Sequence, residues 1–384
     1  MKIAIPKERR EGETRVAASP DMVKKLTALG CRVVVEQGAG AAAAVTDDAL
    51  KAAGAEIAKD AAAAIADADV VMKVRGPQVD DKTAGAELSL YKPGQILVAH
   101  LSALSSKPDI EAYAKAGLVA FAMDLMPRIT RAQSMDVLSS QSNLAGYKAV
   151  LDAASEFGRA FPMMMTAAGT IPPAKVFVMG VGVAGLQAIA TAKRLGAAVS
   201  ATDVRPATRE QVESLGGKFL TVDAEMEKDA QTAGGYAKEM PKEYYEKQKR
   251  VTAEHIKKQD IVITTALIPG RAAPVLITEE MVQSMAPGSV IVDLAVEAGG
   301  NCALAEPGKV VVKHGVKIVG HLNVAGRVPF DASALFARNL LNFFQPLLDK
   351  ETKALKIDWE DDVVKGTLVC RDGKTVHPML TKDA

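Results

Sequence analysis

Runs of apolar residues alternate with alanine-rich stretches along the first third of the chain. Apolar runs of about four to eight residues, bounded by polar residues or turn formers, are typical of buried strands. Such runs predict strands at 2–6, 31–36, 69–74, 95–99 and 118–122. Ser19 and Pro20 mark the start of a helix that runs to about residue 29, and further helices are predicted over 47–54 and 61–68. The repeated strand–helix–strand order predicts a mainly parallel sheet with helices on both faces.

A second alternating pattern follows a long amphipathic segment. Residues 139–161 contain Gly146 and Gly158 as their helix breakers, so a long helix that connects two domains is predicted there. Strands are then predicted at 175–179, 198–202, 260–264, 290–293 and 317–319, with loop and short strand over 301–313. A second long helix over 331–348 is expected to return the chain to the first domain. The segment 357–384 is predicted to form one hairpin about Asp372 and Gly373.

These patterns predict the α/β fold class, with two doubly wound, Rossmann-like domains whose mainly parallel sheets are joined by long helices. The N-terminal domain is predicted to be discontinuous, over 1–138 and 330–384, and the second domain to span 139–329. A chain of 384 residues is long enough for two or three domains, each with its own core.

The composition offers no broad charge for binding nucleic acid or an anionic membrane. Lys and Arg number 47 and Asp and Glu 46, so the formal net charge is +1 and no nucleic-acid partner is expected. Hydrophobic residues make up 48% of the chain and aromatic residues 4%. This balance favours an α/β core over an aromatic-rich β-sandwich.

The cysteines and the apolar segments bear on the cellular compartment. Cys31, Cys302 and Cys370 are far apart and show no C-x-x-C spacing, so they predict neither a disulfide framework nor a metal site, and a reducing compartment is expected. The N-terminus lacks the uncharged apolar core of a secretory signal. The apolar stretch at 160–192 contains two adjacent prolines and Lys175, which argue against a membrane span, so no direct membrane insertion is expected.

One glycine-rich turn carries the strongest physical signal in the chain. Gly180, Gly182 and Gly185 form a G-x-G-x-x-G pattern that follows an apolar strand and opens a helix. The first glycine permits a tight turn, the second lets a pyrophosphate approach the backbone, and the third lets the helix pack on the strand. The helix N-terminus offers N–H groups to phosphate oxygens. The pattern therefore predicts a dinucleotide site.

A carboxylate at the end of the next predicted strand indicates which dinucleotide is expected. Asp203 lies about 20 residues beyond the turn, where it would accept hydrogen bonds from the adenosine ribose. It would repel a 2′-phosphate, so NAD(H) is favoured over NADP(H), although Arg205 follows two residues later and weakens that preference. The structural alternative is a glycine-rich contact between helix and strand without a ligand.

The whole chain resembles the superfamily of alanine dehydrogenases and transhydrogenases. Residues 7–20, KERREGETRVAASP, resemble the opening strand and loop of that superfamily, and residues 267–300 are similar to the segment that closes its nucleotide domain. The resemblance implies that an arginine matching Arg15 holds a substrate carboxylate in the alanine dehydrogenases. These two segments do not separate the two branches.

Two positions depart from the alanine dehydrogenases. That branch has a substrate-binding lysine where this chain has Arg75, and an active-site aspartate where it has Glu297, whereas His100 matches the dehydrogenase histidine. Oxidation of an amino acid needs a positioned base and a carboxylate clamp, so these changes count against that activity. A role for His100 as an ordinary core histidine is the alternative.

Residues 126–147, MPRITRAQSMDVLSSQSNLAGY, closely resemble a loop of the NAD(H)-binding component, also called domain I or the alpha subunit, of proton-translocating transhydrogenases. The resemblance implies that four residues surround the nicotinamide end of the dinucleotide: Arg128, Gln133, Asp136 and Ser139. Arg128 and Ser139 would contact its carboxamide, and Gln133 would reach toward the second nucleotide. The alternative is a solvated loop with an Arg128–Asp136 ion pair.

A charged segment over 222–254 is longer than the matching connection in alanine dehydrogenases. It is expected to be poor in helix and to close over bound nucleotide, with Gly234 and Gly235 as hinge and Tyr236 as cover. A disordered surface excursion is the alternative. The predicted cofactor-binding residues are Gly180, Gly182, Val183, Gly185, Asp203, Val204, Arg205, Tyr236, Ala266 and Leu267.

The resemblance implies an oxidoreductase of the Si/Re-specific, proton-translocating transhydrogenase type, which binds NAD(H) and transfers hydride directly and reversibly between NADH and NADP⁺. NADP(H) would be bound by a partner component, a membrane component would couple the reaction to proton translocation, and the chain would form a homodimer. It is then expected in the cytoplasm, at the inner face of the cell membrane through its partner subunits. Two alternatives stay open: a non-catalytic NAD(H) sensor, and an alanine dehydrogenase-like amino-acid dehydrogenase that uses Arg15, Arg75, His100 and Glu297.

Overall fold

A computed structural model of the chain describes residues 1–79, 87–228, 230, 238, 240–349 and 351–381. Its strands are β1 Lys2–Ile5, β2 Arg32–Glu36, β3 Glu56–Ala58, β4 Val70–Arg75, β5 Ile96–His100, β6 Val119–Ala122, β7 Met164–Thr166, β8 Gly169–Ile171, β9 Lys175–Met179, β10 Ala198–Thr202, β11 Lys218–Phe219, β12 Ile261–Thr264, β13 Val290–Asp293, β14 Val310–Lys313, β15 Val316–Val319, β16 Leu368–Arg371 and β17 Lys374–Thr375. Its helices are α1 Pro20–Ala28, α2 Asp47–Ala52, α3 Ala61–Ile65, α4 Lys107–Lys115, α5 Val137–Glu156, α6 Val183–Arg194, α7 Thr208–Ser214, α8 Ala224–Glu227, α9 Lys242–Ile256, α10 Glu279–Gln283, α11 Pro329–Phe344, α12 Asp362–Thr367 and α13 Pro378–Thr381.

The chain folds into two compact units. The first unit comprises Met1–Gln141 and Ala325–Ala384, and the second comprises Ser142–Val324. Helix α5 begins in the first unit and ends in the second. Each unit contains its own sheet and its own buried apolar clusters, so each has the core of a separate domain.

The first unit is built on an eight-stranded sheet in the order β17-β16-β6-β5-β4-β1-β2-β3. Strands β1 to β6 pair in parallel, and their continuous apolar runs are buried as expected for a sheet covered on both faces. The hairpin β16–β17 adds antiparallel strands beside β6. As predicted, its turn is made by Asp372 and Gly373, with φ values of 53° and 74° that a tight hairpin turn requires.

The second unit is built on a seven-stranded sheet in the order β11-β10-β9-β12-β13-β15-β14. The pair β14–β15 is antiparallel, and the other pairs are parallel. The two sheets confirm the predicted α/β class. In the second sheet the strand order reverses between β9 and β12, which are neighbours although β10 and β11 lie between them in sequence. A reversal of this kind leaves a crevice at the carboxyl ends of the strands, where doubly wound proteins bind ligands.

Helix α5 departs from its predicted bounds of 139–161 because it ends at Glu156. Phe157 and Phe161 then turn into the core of the second unit, with ring centroids 6.2 Å apart, and Pro162 cannot continue a helix. The predicted helix over 331–348 is likewise shorter, since α11 ends at Phe344. The apolar stretch at 160–192 is divided among β7, β8, β9 and α6, and no helix in the described part of the chain is both long and apolar enough to cross a membrane.

A buried lysine interrupts the apolar run of β4, and the sequence analysis did not identify it. Lys73 is 1% exposed, and its Nζ lies 2.6 Å from Glu87 Oε1 and 3.6 Å from Glu8 Oε2. Glu8 also accepts a hydrogen bond of 2.7 Å from the Val74 N–H, and burial raises the pKa of its carboxyl. This cluster ties the loop after β1 to β4, where the strand order of the first sheet reverses.

We expect Lys73→Met to destabilise the first unit by about 3–5 kcal/mol, because it leaves two buried carboxylates without their cation. Trp359, the sole tryptophan, lies in the same unit, so its fluorescence in a urea titration reports the unfolding free energy of that unit. Lys25→Met is the matched control, since the Lys25–Asp21 pair is half-exposed and contributes at most about 1 kcal/mol. Equal effects of the two substitutions would contradict the assigned role of Lys73.

Candidate functional site

The glycine-rich turn lies at the strand-order reversal of the second sheet. Strand β9 is buried from Val176 to Met179 and leads into the turn, and α6 begins directly after Gly182. The Thr265 N–H donates to the Met179 carbonyl, and the Thr265 hydroxyl donates to the Gly180 carbonyl at 2.9 Å. These bonds join the ends of β9 and β12, so the turn is held at the position where a doubly wound sheet binds a ligand.

Each glycine of the turn meets a different steric requirement. Gly180 has φ of +95°, and a Cβ there would lie 2.7 Å from Thr265 Oγ1. A Cβ on Gly185 would lie 1.9 Å from the Gly180 carbonyl oxygen, so α6 could not pack against the turn. Around Gly182, by contrast, no described residue has a heavy atom within 4 Å of a built Cβ. The space above Gly182 is therefore open for a group that approaches the backbone closely.

The N-terminus of α6 faces this space with unsatisfied donors. No side chain among the described residues caps its first turn, and the first backbone bond joins the Leu186 N–H to the Gly182 carbonyl. The N–H groups at the start of a 12-residue helix carry a partial positive charge that favours phosphate oxygens. Val183, a predicted contact, is the first residue of this helix, and its side chain is exposed.

Asp203 follows β10 and ties that strand to the turn. Its Oδ2 accepts a hydrogen bond of 2.7 Å from the Val181 N–H and one of 2.8 Å from Arg205 Nη2. Its Oδ1 accepts from the backbone N–H of Arg205 at 2.9 Å and from Nε at 2.8 Å. The bonds to Asp203 raise the pKa of Arg205, so the pair is fully charged. A carboxylate offers about four acceptor positions, and here all of them are used.

This arrangement fits a dinucleotide on one condition. The adenosine ribose can bond to Asp203 only if the Arg205 side chain gives up part of its hold on the carboxylate. The side chain of Arg205 is 20% exposed and that of Asp203 7% exposed, so the arginine has the room to move and the acid does not. Asp203 is thus a fixed acceptor, and Arg205 is its displaceable counter-ion.

The loop after β12, which contains Ala266 and Leu267, is fixed by two polar residues that the sequence analysis did not identify. Asn301 is fully buried; its amide donates to the carbonyls of Ala266 and Pro274 and accepts from the Ala266 N–H. The buried Asp293 at the end of β13 in turn accepts hydrogen bonds from the N–H groups of Asn301 and two other residues. The signal in the sequence was a carboxylate that ends an apolar strand. Leu267 is left exposed, beside the anchored Ala266.

The insertion predicted to be poor in helix is helical in its second half. Helix α9 covers 15 residues and carries an i,i+4 pair between Glu243 and Lys247, which supports a helix on a charged face. Lys247 also pairs with Asp223, and Tyr244 is fully buried with its hydroxyl bonded to Glu227. The prediction of a helix-poor segment over 222–254 is therefore wrong for these residues.

The buried Tyr244 cluster reaches the candidate site through Val204, which packs against it directly after Asp203. Tyr236, predicted to cover the nucleotide, lies outside the described residues, as do Gly234 and Gly235. Helix α9 thus supports the loop after β10, and the predicted lid stays a prediction.

In the first unit, the loop that resembles transhydrogenases forms a short 3₁₀ helix over Thr130–Met135. Ala132 and Met135 are buried in the core of this unit, whereas Arg128 and Gln133 are exposed. The loop therefore presents its two longest polar candidates to the surface while its apolar residues fix its position.

Asp136 and Ser139 interact with each other at the start of α5. The two oxygens of the Asp136 carboxylate accept hydrogen bonds from the N–H and the hydroxyl of Ser139. This is the geometry of a helix N-cap, so both residues have a structural role as well as the predicted one. A loss of function on substitution of either residue would combine the two effects.

Arg15, the match of the dehydrogenase carboxylate clamp, is engaged by protein groups. Nε and Nη2 donate to the two carboxylate oxygens of Glu13 at 2.8 and 2.7 Å, and Nη1 donates to Gln141 at 2.8 Å. Loss of solvation lowers the pKa of His100 to about 4, so its imidazole is neutral at physiological pH. Arg75 Nη1 lies 3.4 Å from His100 Nδ1. In the second unit, Glu297 is exposed and accepts a bond from the Asn323 N–H.

Comparisons with known proteins agree on one family across the chain. The alanine dehydrogenase/PNT N-terminal domain matches residues 4–145 and the C-terminal domain of the same family matches 149–378. An NAD(P) transhydrogenase subunit alpha protein of Rhodospirillum rubrum is 67% identical over 381 residues, which cover 99% of each chain. A crystal structure of transhydrogenase from Sinorhizobium meliloti has 52% identity and a TM-score of 0.84, over 98% of this chain and 99% of that chain. A structure of L-alanine dehydrogenase has 28% identity and a TM-score of 0.79, over 99% and 98%.

The pair of Asp203 and Arg205 predicts how selectivity between dinucleotides changes. Asp203→Asn should lower the ratio of the NADPH Kd to the NADH Kd by about tenfold, equivalent to about 1.4 kcal/mol, because it removes the charge that repels a 2′-phosphate. Arg205→Gln should raise the same ratio by about tenfold, because it removes the cation that offsets that charge. Both constants are measured by fluorescence titration of the reduced nucleotides.

Arg209→Gln is the matched control for this prediction, since Arg209 is an exposed cation of the same unit whose guanidinium stacks over Phe219. Its ratio should equal that of the unsubstituted protein. An unchanged ratio in Asp203→Asn would show that the ribose does not bind at this carboxylate.

Proposed function

The chain belongs to the alanine dehydrogenase/PNT family, and we propose that it is the NAD(H)-binding component of a proton-translocating NAD(P) transhydrogenase. In the proposed reaction, hydride passes directly from C4 of NADH to C4 of NADP⁺, and the reaction is reversible. One nucleotide loses a proton with two electrons and the other gains them, so the reaction needs no general acid or base.

The observation that carries the proposal is the turn of the second unit, with an open approach to Gly182 and the fixed acceptor Asp203. The start of α6 would bind the pyrophosphate, and Asp203 would bind the adenosine ribose once Arg205 gives way. The protein then has to hold the nicotinamide within about 3–3.5 Å of the acceptor ring and keep water away. These are tasks of orientation, for which a rigid turn and anchored loops suffice.

The state of the first unit favours this proposal over an amino-acid dehydrogenase. Arg15 would have to release Glu13 before its guanidinium could hold a substrate carboxylate in a bidentate manner. A buried pair of this kind is costly to separate, because Glu13 would keep its charge without its partner. His100 could accept a proton only as a neutral base, and Arg15 offers no ready clamp for the carboxylate of alanine or pyruvate.

The remaining elements of the proposal follow the sequence resemblance. Arg128, Gln133, Asp136 and Ser139 would act at the nicotinamide end, with Gln133 nearest the second nucleotide. NADP(H) would be bound by a partner component, and a membrane component would couple hydride transfer to proton translocation. The chain would act as a homodimer in the cytoplasm, at the inner face of the cell membrane through these partners.

The proposal predicts which acceptors oxidise NADH in the presence of this protein. We expect turnover with a purified NADP⁺-loaded transhydrogenase partner component, and background rates with pyruvate plus ammonium or with no acceptor. The absorbance of NADH at fixed protein concentration measures all three rates. Robust turnover with pyruvate and ammonium would favour the amino-acid dehydrogenase, and background rates in all three arms would favour the non-catalytic sensor.

Gln133→Asn should slow hydride transfer at saturating NADH by about tenfold while it changes the Kd for NADH by less than about twofold, because the shortened side chain misaligns the ring without removing a phosphate or ribose contact. Stopped-flow kinetics and NADH titration measure the two quantities. Gln37→Asn makes the same chemical change at an exposed position of the same unit and should alter neither. Loss of NADH affinity with an unchanged rate would overturn the assignment of Gln133.

A further inference from the structure

The backbone next to Gln133 is held by two asparagines of a helix that is distant in sequence. The carbonyl of Ser134 accepts a hydrogen bond from the side-chain amide of Asn339 at 2.8 Å and another from that of Asn342 at 3.0 Å. Both asparagines lie on α11, more than 200 residues along the chain, and in the same unit. The carbonyl thus uses both of its acceptor positions on side chains whose positions are set by a helix.

Asn339 also connects this carbonyl to the first turn of α5. Asn339 is 7% exposed, and its Oδ1 accepts a hydrogen bond of 2.7 Å from the Ser140 hydroxyl. The neighbouring Gln141 donates to the Ser140 hydroxyl oxygen and to the carbonyl of Ala332 on α11. The start of α5 and the 3₁₀ helix are therefore both fixed against α11.

The far end of this network is the buried pair of Arg15 and Glu13. Arg15 Nη1 donates to the Oε1 of Gln141, while Nε and Nη2 of the same guanidinium donate to Glu13. A continuous path of hydrogen bonds thus runs from Glu13 through Arg15, Gln141, Ser140 and Asn339 to the peptide that follows Gln133. Polar groups that are satisfied in this way in the interior hold a single arrangement, since any displacement leaves a buried donor or acceptor unpaired.

We propose that Asn339 and Asn342 are positioning residues for hydride transfer, which act by fixing the peptide after Gln133 and hence the direction of the Gln133 side chain. The inference rests on the proposed function and deepens it. Gln133 is exposed and follows the buried Ala132, so its side chain depends for its direction on the backbone that carries it. Rates that depend on near-attack geometry are sensitive to shifts of about 1 Å in that backbone.

The network also assigns a use to Arg15 in a chain that oxidises no amino acid. The guanidinium terminates the path with a charge-assisted pair, so Gln141 is held by a group that is itself fixed. Asn342 supplies a second bond to the Ser134 carbonyl from one turn further along α11. The two asparagines therefore act in parallel, and each alone retains some of the anchoring.

The test compares Asn339→Leu, Asn342→Leu and the double variant with Arg338→Ala, a substitution at an exposed residue of the same helix. Hydrogen–deuterium exchange of the segment 130–136, followed by mass spectrometry, measures the anchoring without any nucleotide or partner. We expect exchange to be about tenfold faster in the double variant, less affected in each single variant and unchanged in Arg338→Ala. Asn342→Gln keeps an amide donor and should retain most of the protection.

The kinetic test uses saturating NADH and an NADP⁺-loaded partner component. We expect hydride transfer to slow by about tenfold in the double variant, while the Kd for NADH changes by less than about twofold. Unchanged exchange, or faster exchange with an unchanged transfer rate, would overturn the proposal. A parallel loss of rate, NADH affinity and melting temperature would overturn it too, since that pattern indicates a purely structural role. If the unsubstituted protein transfers no hydride, the proposed function fails, and the exchange data still decide whether the asparagines anchor the loop.

Discussion

The candidate site depends on one carboxylate, that of Asp203. It accepts the Val181 N–H inside the glycine-rich turn and closes an ion pair with Arg205, so a single side chain joins the turn to the end of β10. Without this bond, the turn would be held to the rest of its sheet by the Thr265 hydroxyl and by backbone bonds at its edges. The same carboxylate is the group expected to bind the ribose, so the scaffold and the binding site share one residue. The acid is buried and held in place, and the flexible arginine is the group that adapts.

The same device recurs where loops follow strands in both units. Asp293 holds the loop of Asn301, Asp124 accepts the N–H groups of Leu101 and Ala103, and Glu8 holds the end of β4. Buried carboxylates suit this task because each satisfies several backbone donors at once. At the strand reversal of the first sheet this device fills the space with Glu8 and Lys73, whereas at that of the second sheet the glycines leave it open. Two sheets of similar topology thus carry different chemistry, in agreement with the proposal of one nucleotide per chain.

Much of the fold follows from local patterns, and the long-range anchors do not. The buried strands, the turn at Gly180 and the hairpin at Asp372 are each encoded by neighbouring residues, and the structure contains all of them. The early end of α5 depends on the burial of Phe157 and Phe161 in a core that the local helical pattern does not reveal. The anchor at Asn339 joins residues that are more than 200 positions apart, so no local pattern indicates it. The site residues Asp203 and Gly182 could be named from the sequence, but the hold of Arg205 on Asp203 depends on side-chain directions that the sequence does not specify.

The central claim is that hydride passes directly from NADH on this chain to NADP⁺ on a partner. The most direct measurement uses NADH carrying deuterium at C4 on the transferred face, with the NADP⁺-loaded partner component, in ordinary water, and determines the isotope content of the products by mass spectrometry. The account predicts that NADPH carries the deuterium in full and that none is found in water, because no protein group exchanges the hydride on its way. Unlabelled NADPH, or deuterium in alanine when pyruvate and ammonium are added, would contradict it.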